Sequence, residues 1–117
     1  SNELWRASLD VIDFMPLTSA NYSGGIIITD WYSENSEGES IKITIRFLSN
    51  EIRADALEIK IFYKNCDANL KCKISEKSSK LSLELQKEIL KKAAIYEKQN
   101  VDKNFKPYKV IDSRPNS

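Results

Sequence analysis

The stretch Ile41-Lys42-Ile43-Thr44-Ile45-Arg46-Phe47 decides the fold class. Its four apolar residues fall at every second position, and Lys42, Thr44 and Arg46 fall between them. Successive side chains of a β-strand point to opposite faces of a sheet, so this strict alternation indicates a strand with one buried face. The sequence therefore predicts a sheet that is covered on one side.

Three further stretches have the composition of strands. Residues 26–32 are rich in β-branched and aromatic side chains, and residues 56–64 and 70–74 alternate between apolar and polar. Gly24-Gly25, just before the first strand, is typical of a turn or bulge that needs a positive φ. Because the connections are short, neighbouring strands should run antiparallel. We predict a four-stranded antiparallel meander.

Two amphipathic segments flank these strands. Residues 3–15 form the first, which Pro16 should end, and residues 80–98 form the second. The apolar face of the sheet needs a cover, and these two helices are the candidates. The predicted fold class is thus α+β, with an N-terminal and a C-terminal helix packed on one face of the meander in a helix-grip-like arrangement.

The chain has room for one domain. Its 117 residues fit a single α+β domain over residues 1–99. The remainder, residues 100–117, is rich in polar residues and is predicted to be a mostly disordered tail, in which residues 108–111 could add an edge strand.

Composition excludes several classes of function. The 18 basic and 17 acidic residues nearly cancel, so the chain lacks the dominant positive charge of a nucleic-acid protein. No apolar run approaches the roughly 20 residues of a membrane helix. The chain contains 0 histidines, which removes the base of Ser–His and Cys–His catalysis and argues against a zinc site. We expect no metal and no cofactor.

Two cysteines, Cys66 and Cys72, flank the turn before the last strand. They are either free, with Cys72 in the core, or bridged across a hairpin in an oxidising compartment. The residues themselves leave both readings open.

Carboxylates are the remaining candidates for catalysis. Asp30 lies in an apolar strand, and Asp55 follows Arg53 by two positions. Paired acids perform acid–base chemistry when burial raises the pKa of one of them. The structural alternative is that Asp30 meets water or accepts a hydrogen bond from an arginine, Arg46 or Arg53. We predict that the protein is not an enzyme, with a carboxylate-dependent hydrolase as the alternative.

The first strand carries large apolar residues on both sides. Ile26 and Ile28 alternate with Ile27 and Trp31, while the third strand places Phe62 among charges on its outer side. A sheet covered on one face should not show this excess, unless the tail or residues 18–23 fold across it. The sharper hypothesis is an interaction surface, because aromatic residues are enriched at the centres of interfaces. The candidate residues are Ile27, Trp31 and Phe62.

A set of short motifs resembles a known family. The motifs are Leu4-Trp5-Arg6-Ala7-Ser8-Leu9-Asp10, Phe14-Met15-Pro16-Leu17, Ser19-Ala20, Gly24-Gly25, Ile28-Thr29-Asp30-Trp31-Tyr32 and Arg53-Ala54-Asp55-Ala56-Leu57. In this order they resemble the bacterial family of domain of unknown function 3576, over about residues 3–97. Members of that family are mostly predicted to be lipoproteins.

The resemblance implies export, and it supplies no catalytic or binding residues. It implies a signal peptide and a lipid-bearing cysteine upstream of residue 1, with the domain in the periplasm and anchored to the outer membrane. That setting favours a Cys66–Cys72 bridge, although relatives often lack both cysteines. The predicted order of helix, sheet and helix is also similar to the helix-grip domains of BamC, a lipoprotein of the outer-membrane assembly machine, and fold alone does not determine function.

These observations together predict a non-enzymatic interaction or scaffold domain of a cell-envelope lipoprotein, active in outer-membrane assembly or maintenance. Its partner would be an envelope protein or a second copy of the chain, and the membrane would be reached only through the lipid anchor. The alternative is a carrier that holds a small apolar ligand in a cavity between the long helix and the sheet.

Overall fold

The computed structural model describes residues 2–34, 38–77 and 80–104. In chain order the elements are α1 (Asn2–Val11), β1 (Leu17–Asn21), β2 (Ile26–Thr29), β3 (Glu39–Phe47), β4 (Leu57–Cys66), β5 (Cys72–Glu76) and α2 (Lys80–Asn104), with a short 3-10 turn at Ala54–Ala56. The strands form one antiparallel sheet in the order β1-β2-β3-β4-β5. The α+β class with two helices and an antiparallel sheet is confirmed.

The sheet has five strands, and the prediction of four was wrong because β1 was missed. Leu17–Asn21 lacks both alternation and β-branched bulk, and most of its residues are exposed. The segment is a strand because the turn that follows it pairs it with β2. Asn21 Oδ1 accepts the Gly24 N–H at 2.8 Å, and Gly25 takes a φ of 67°, which folds the chain back onto β2.

The helices differ from their predicted lengths. Helix α1 ends at Val11, and a turn carries the chain to Met15, which stays buried. Helix α2 continues to Asn104, into the segment predicted to be a tail. The predicted edge strand at 108–111 lies outside the described residues.

The core lies between the sheet and both helices. Across the sheet, Ile45 of β3 stands between Ile27 of β2 and Ile59 of β4, and Ile43 stands opposite Ile61. Side chains from both helices and from the turn after α1 close over them, namely Leu4 and Ala7 of α1, Ile12 of the turn, and Leu85, Ile89 and Ala93 of α2. Each isoleucine removed from water in this way contributes about 2 kcal/mol to stability.

Polar contacts join the exposed sides of the two helices. The Arg6 guanidinium lies 3.9 Å from the centre of the Tyr96 ring, and the Tyr96 hydroxyl donates a hydrogen bond to Asp10 Oδ2. Asn100 Nδ2 donates to Glu3 Oε2 at 2.8 Å. The hydrogen bond to Asp10 raises the pKa of Tyr96, and burial and the negative charge of Asp10 act in the same direction.

Candidate interaction surface

A bulge directs the residues that follow β2. Ile28 pairs with Thr44 and Tyr32 pairs with Ile41, so four steps along one chain oppose three along the other. The extra residue leaves the backbone N–H of Ile43 without a strand partner, and buried Thr29 accepts it through Oγ1 at 2.9 Å. A one-residue bulge reverses the side to which later residues point. Trp31 therefore lies on the side of the sheet away from the helices.

We call this side the outer face. Its side chains, read from the register, are those of Ile26, Ile28, Trp31, Lys42, Thr44, Arg46, Glu58, Lys60, Phe62, Lys64, Cys66, Cys72, Ile74 and Glu76. Trp31 lies beyond the end of β2, with Lys64 Nζ at 4.5 Å and Lys42 Nζ at 5.7 Å from the ring centroid. At these distances the ammonium groups are attracted to the electron-rich ring.

The outer face combines apolar area with an excess of positive charge, since its four lysine and arginine side chains outnumber Glu58 and Glu76. Arg46 and Glu58 lie 4.0 Å apart and pair with each other. Among the described residues, no carboxylate forms an ion pair with Lys42, Lys60 or Lys64. The Trp31 ring is thus flanked by two amines, and Phe62 lies between Lys42 and Glu76 of the neighbouring strands.

The structure corrects one of the three predicted surface residues. Trp31 and Phe62 lie on the outer face, half-buried, but Ile27 is fully buried against the helices. In a straight strand Ile27 and Trp31 would share a side, and the bulge separates them. Ile26 and Ile28 take the outer positions instead. Residues 17–21 extend the sheet beside β2 and so do not cover this face.

The paired ends of β4 and β5 form a second exposed feature, the ribbon (residues 62–76). Cys66 and Cys72 face each other in it and are joined by a disulfide. In the turn, Asp67 Oδ1 accepts the N–H groups of Asn69 and Lys71, both at 2.9 Å. Every residue of β5 is exposed, including Ile74 at 61%.

The prediction that Leu70 begins the last strand was wrong, because β5 starts at Cys72. Leu70 sits in the ribbon's turn with a φ of 64° and 84% of its surface exposed. Glycine or asparagine normally occupies such a left-handed position, because a Cβ there costs about 1 kcal/mol. The signal available for this turn residue was a leucine at a position where glycine is normally found.

The carboxylates singled out for catalysis have local structural partners. Asp30 is exposed, and its Oδ1 accepts the Trp31 N–H at 2.8 Å. Asp55 Oδ1 lies 2.7 Å from Arg53 Nε, and Arg53 also pairs with Glu51 at 2.9 Å. Within ranges 2–34, 38–77 and 80–104, no three acidic or cysteine side chains gather as a metal site would require.

Space for a ligand lies at the end of the sheet. An open recess of about 380 Å³ is bounded by aromatic rings and the β1–β2 turn, and its lining is Trp5, Tyr22, Ser23, Gly24, Gly25, Phe47 and Asn50. The helix–sheet interface, where a carrier would hold its guest, is filled by fully buried isoleucines such as Ile43, Ile61 and Ile89. In the part of the chain that the structure covers, neither helix is both long and apolar enough to cross a membrane.

Comparison with known proteins places the chain in a family. The sequence model of "Domain of unknown function (DUF3576)" matches residues 1–98. The chain belongs to the DUF3576 family. It is also similar to "Uncharacterized protein RP420" of Rickettsia prowazekii (strain Madrid E), with 41% identity over 91 residues, 77% of this chain and 54% of that protein.

This DUF3576 chain spans about half the length of that relative. No solved structure matches it. The family resemblance expected from the motifs is thereby confirmed.

Proposed function

We propose that this DUF3576 domain is a non-enzymatic interaction domain of the cell envelope, which binds a protein partner through the outer face of its sheet. The observation that carries the proposal is the row formed by Trp31, Lys42 and Phe62 across that face. Two partly exposed aromatic rings with an amine between them form a surface that is unfavourable to leave in water and well suited to contact a protein.

The chemistry of the face indicates the chemistry of the partner. Apolar area concentrates around Trp31, Phe62 and Ile28, where a partner's apolar side chains would be desolvated. The amines of Lys42, Lys60 and Lys64 would then lie beside the contact. Complementary carboxylates on the partner would fix its orientation and speed association.

The envelope location is supported by the disulfide and by the expected character of the family. Disulfides persist in oxidising compartments such as the bacterial periplasm, and Cys66–Cys72 is one. A lipid anchor, attachment to the outer membrane, a role in its assembly and a helix-grip likeness to BamC are further parts of this proposal. These further parts of the proposal do not rest on the residues described above.

Site-specific crosslinking tests the outer face. A photoreactive amino acid replaces Phe62, and a matched control places it at Leu83, an equally apolar position on α2 with 59% exposure. In cells that express the native protein, position 62 should give an adduct of defined mass and position 83 should not. Trp31→Ala should weaken capture through position 62 by about thirtyfold, as expected for the loss of a central aromatic contact.

The double variant Trp31→Ala/Phe62→Ser separates docking from folding. It should keep the circular dichroism and cooperative unfolding of the parent while losing the partner. An unfolded double variant would show that these rings belong to the core, and equal adducts at positions 62 and 83 would refute the outer-face interface. An adduct with twice the mass of the chain would identify the partner as a second copy.

A further inference from the structure

The free edge of β5 presents an ordered set of backbone groups. Lys77 N–H donates to Ile61 O at 3.4 Å, and Asp67 N–H donates to Lys71 O at 2.9 Å. Antiparallel strands alternate between hydrogen-bonded and non-bonded pairs, so Lys73 and Ser75 are the residues that bond to β4. The N–H and C=O groups of Cys72, Ile74 and Glu76 therefore point away from the sheet.

Nothing in the described part of the chain covers this edge. Strand β5 is last in the sheet, and all of its residues are exposed. The disulfide at one end holds the strand extended against β4. A fixed strand with unpaired backbone groups is a template for another strand.

The two sides of the edge differ in chemistry. On the outer face, Ile74 is 61% exposed beside the disulfide, and Leu70 is 84% exposed at the turn. On the other side Lys73 lies between Lys71 and Lys77, and no described carboxylate forms an ion pair with any of them. A strand added here would meet Ile74 and, beyond it, the Glu76 carboxylate with one set of alternate side chains, and mainly lysines with the other.

We propose that the β5 edge binds an extended segment of a partner protein in which apolar and acidic residues alternate. The backbone bonds come from Cys72, Ile74 and Glu76, the apolar side chains contact Ile74, and the carboxylates pair with the lysines. This proposal rests on the proposed function, because it specifies the kind of partner segment that the interaction domain takes.

Charge disfavours a second copy as the occupant. Antiparallel pairing of two β5 strands centred on Ile74 would set Lys71 of one copy opposite Lys77 of the other. Like charges directly opposite each other destabilise a strand pair. Lysine is also the residue with which proteins protect an edge against their own copies. An acidic segment meets no such barrier.

Amide hydrogen exchange on the full chain tests the proposal. The probe is a synthetic peptide in which valine and glutamate alternate. Its binding should slow exchange of the Cys72, Ile74 and Glu76 amides by at least about tenfold, since each gains a hydrogen bond. The amides of Lys73 and Ser75 are already bonded and should change little. A peptide with the same residues in two blocks, and one that alternates valine with lysine, should fail to bind.

Variants separate the backbone contact from the charge contact. Ile74→Pro removes an N–H that faces the free edge and leaves the β4–β5 bonds in place, so the peptide should bind about tenfold more weakly to a folded protein. Ile74→Thr keeps the N–H and is the matched control. Lys71→Glu/Lys73→Glu should transfer binding to the valine–lysine peptide. Trp31→Ala should leave peptide binding unchanged, which distinguishes this site from the contact around Trp31.

Four results would overturn the proposal. They are equal binding of the block peptide, new protection in β1 instead of β5, no new protection at all, and slow exchange of the three edge amides before peptide is added. In the last case, an exchange rate that depends on protein concentration would show that a second copy covers the edge. A rate that does not depend on concentration would show that another part of the same chain covers it.

Discussion

The two faces of the sheet are built by the same strands and have opposite characters. Toward the helices, Ile27, Ile43 and Ile61 are almost fully buried. Away from them, Trp31 and Phe62 are partly exposed among charged side chains. Aliphatic side chains fill the face toward the helices, whereas the outer face carries the larger aromatic rings and the charged side chains. The difference shows that one face holds the core, whereas the other leaves aromatic side chains partly exposed to solvent.

Truncation at neighbouring positions of β3 tests this comparison with the largest expected effect. Ile43→Ala should lower the free energy of unfolding by about 3 kcal/mol, because it leaves a cavity in a sealed interface. Thr44→Ala, the next residue on the outer face, should change it by less than about 0.5 kcal/mol. Urea titration followed by circular dichroism measures both, and similar losses would show that the faces are not energetically distinct.

Removing the side-chain hydrogen bond at the bulge, which separates Ile27 from Trp31, should give a smaller loss of stability. Thr29→Val keeps the shape of the side chain and removes the acceptor of the buried Ile43 N–H. An unsatisfied buried donor should lower the free energy of unfolding by about 2 kcal/mol. Thr44→Val is the control on the exposed side. Equal stability of the two variants would mean that the bulge does not depend on the threonine hydroxyl.

The contact of Tyr96 with Asp10, between the two helices, gives the smallest expected effect on stability. This effect can be observed only at alkaline pH. Because the pKa of Tyr96 is raised in the folded chain, its contribution to stability is complete below the ordinary tyrosine value of about 10 and is lost as pH rises through the raised value. Asp10→Asn should bring the pKa of Tyr96 closer to the ordinary value. Ultraviolet titration of tyrosinate, with Tyr96→Phe to assign the signal, would detect the change, and an unaltered titration would exclude control by Asp10.

Alternation and turn chemistry were enough to predict the central strands, the two helices and their order. They were insufficient where backbone geometry overrides the pattern. The pattern of residues 26–32 predicts one straight strand. No residue there indicates the bulge, which places Trp31 and Ile27 on opposite faces. Leu17–Asn21 became a strand through pairing and not through its own propensity. The predicted meander already placed Ile74 in an edge strand, but alternation did not reveal that every residue of β5 is exposed.

The disulfide links residues only 6 apart, at the far edge of the sheet from β1. So short a ring constrains the chain locally and adds little to the cohesion of the isoleucine layer. If the helices separated from the sheet in a local opening, the disulfide would keep the ends of β4 and β5 joined, so the ribbon would retain its local shape.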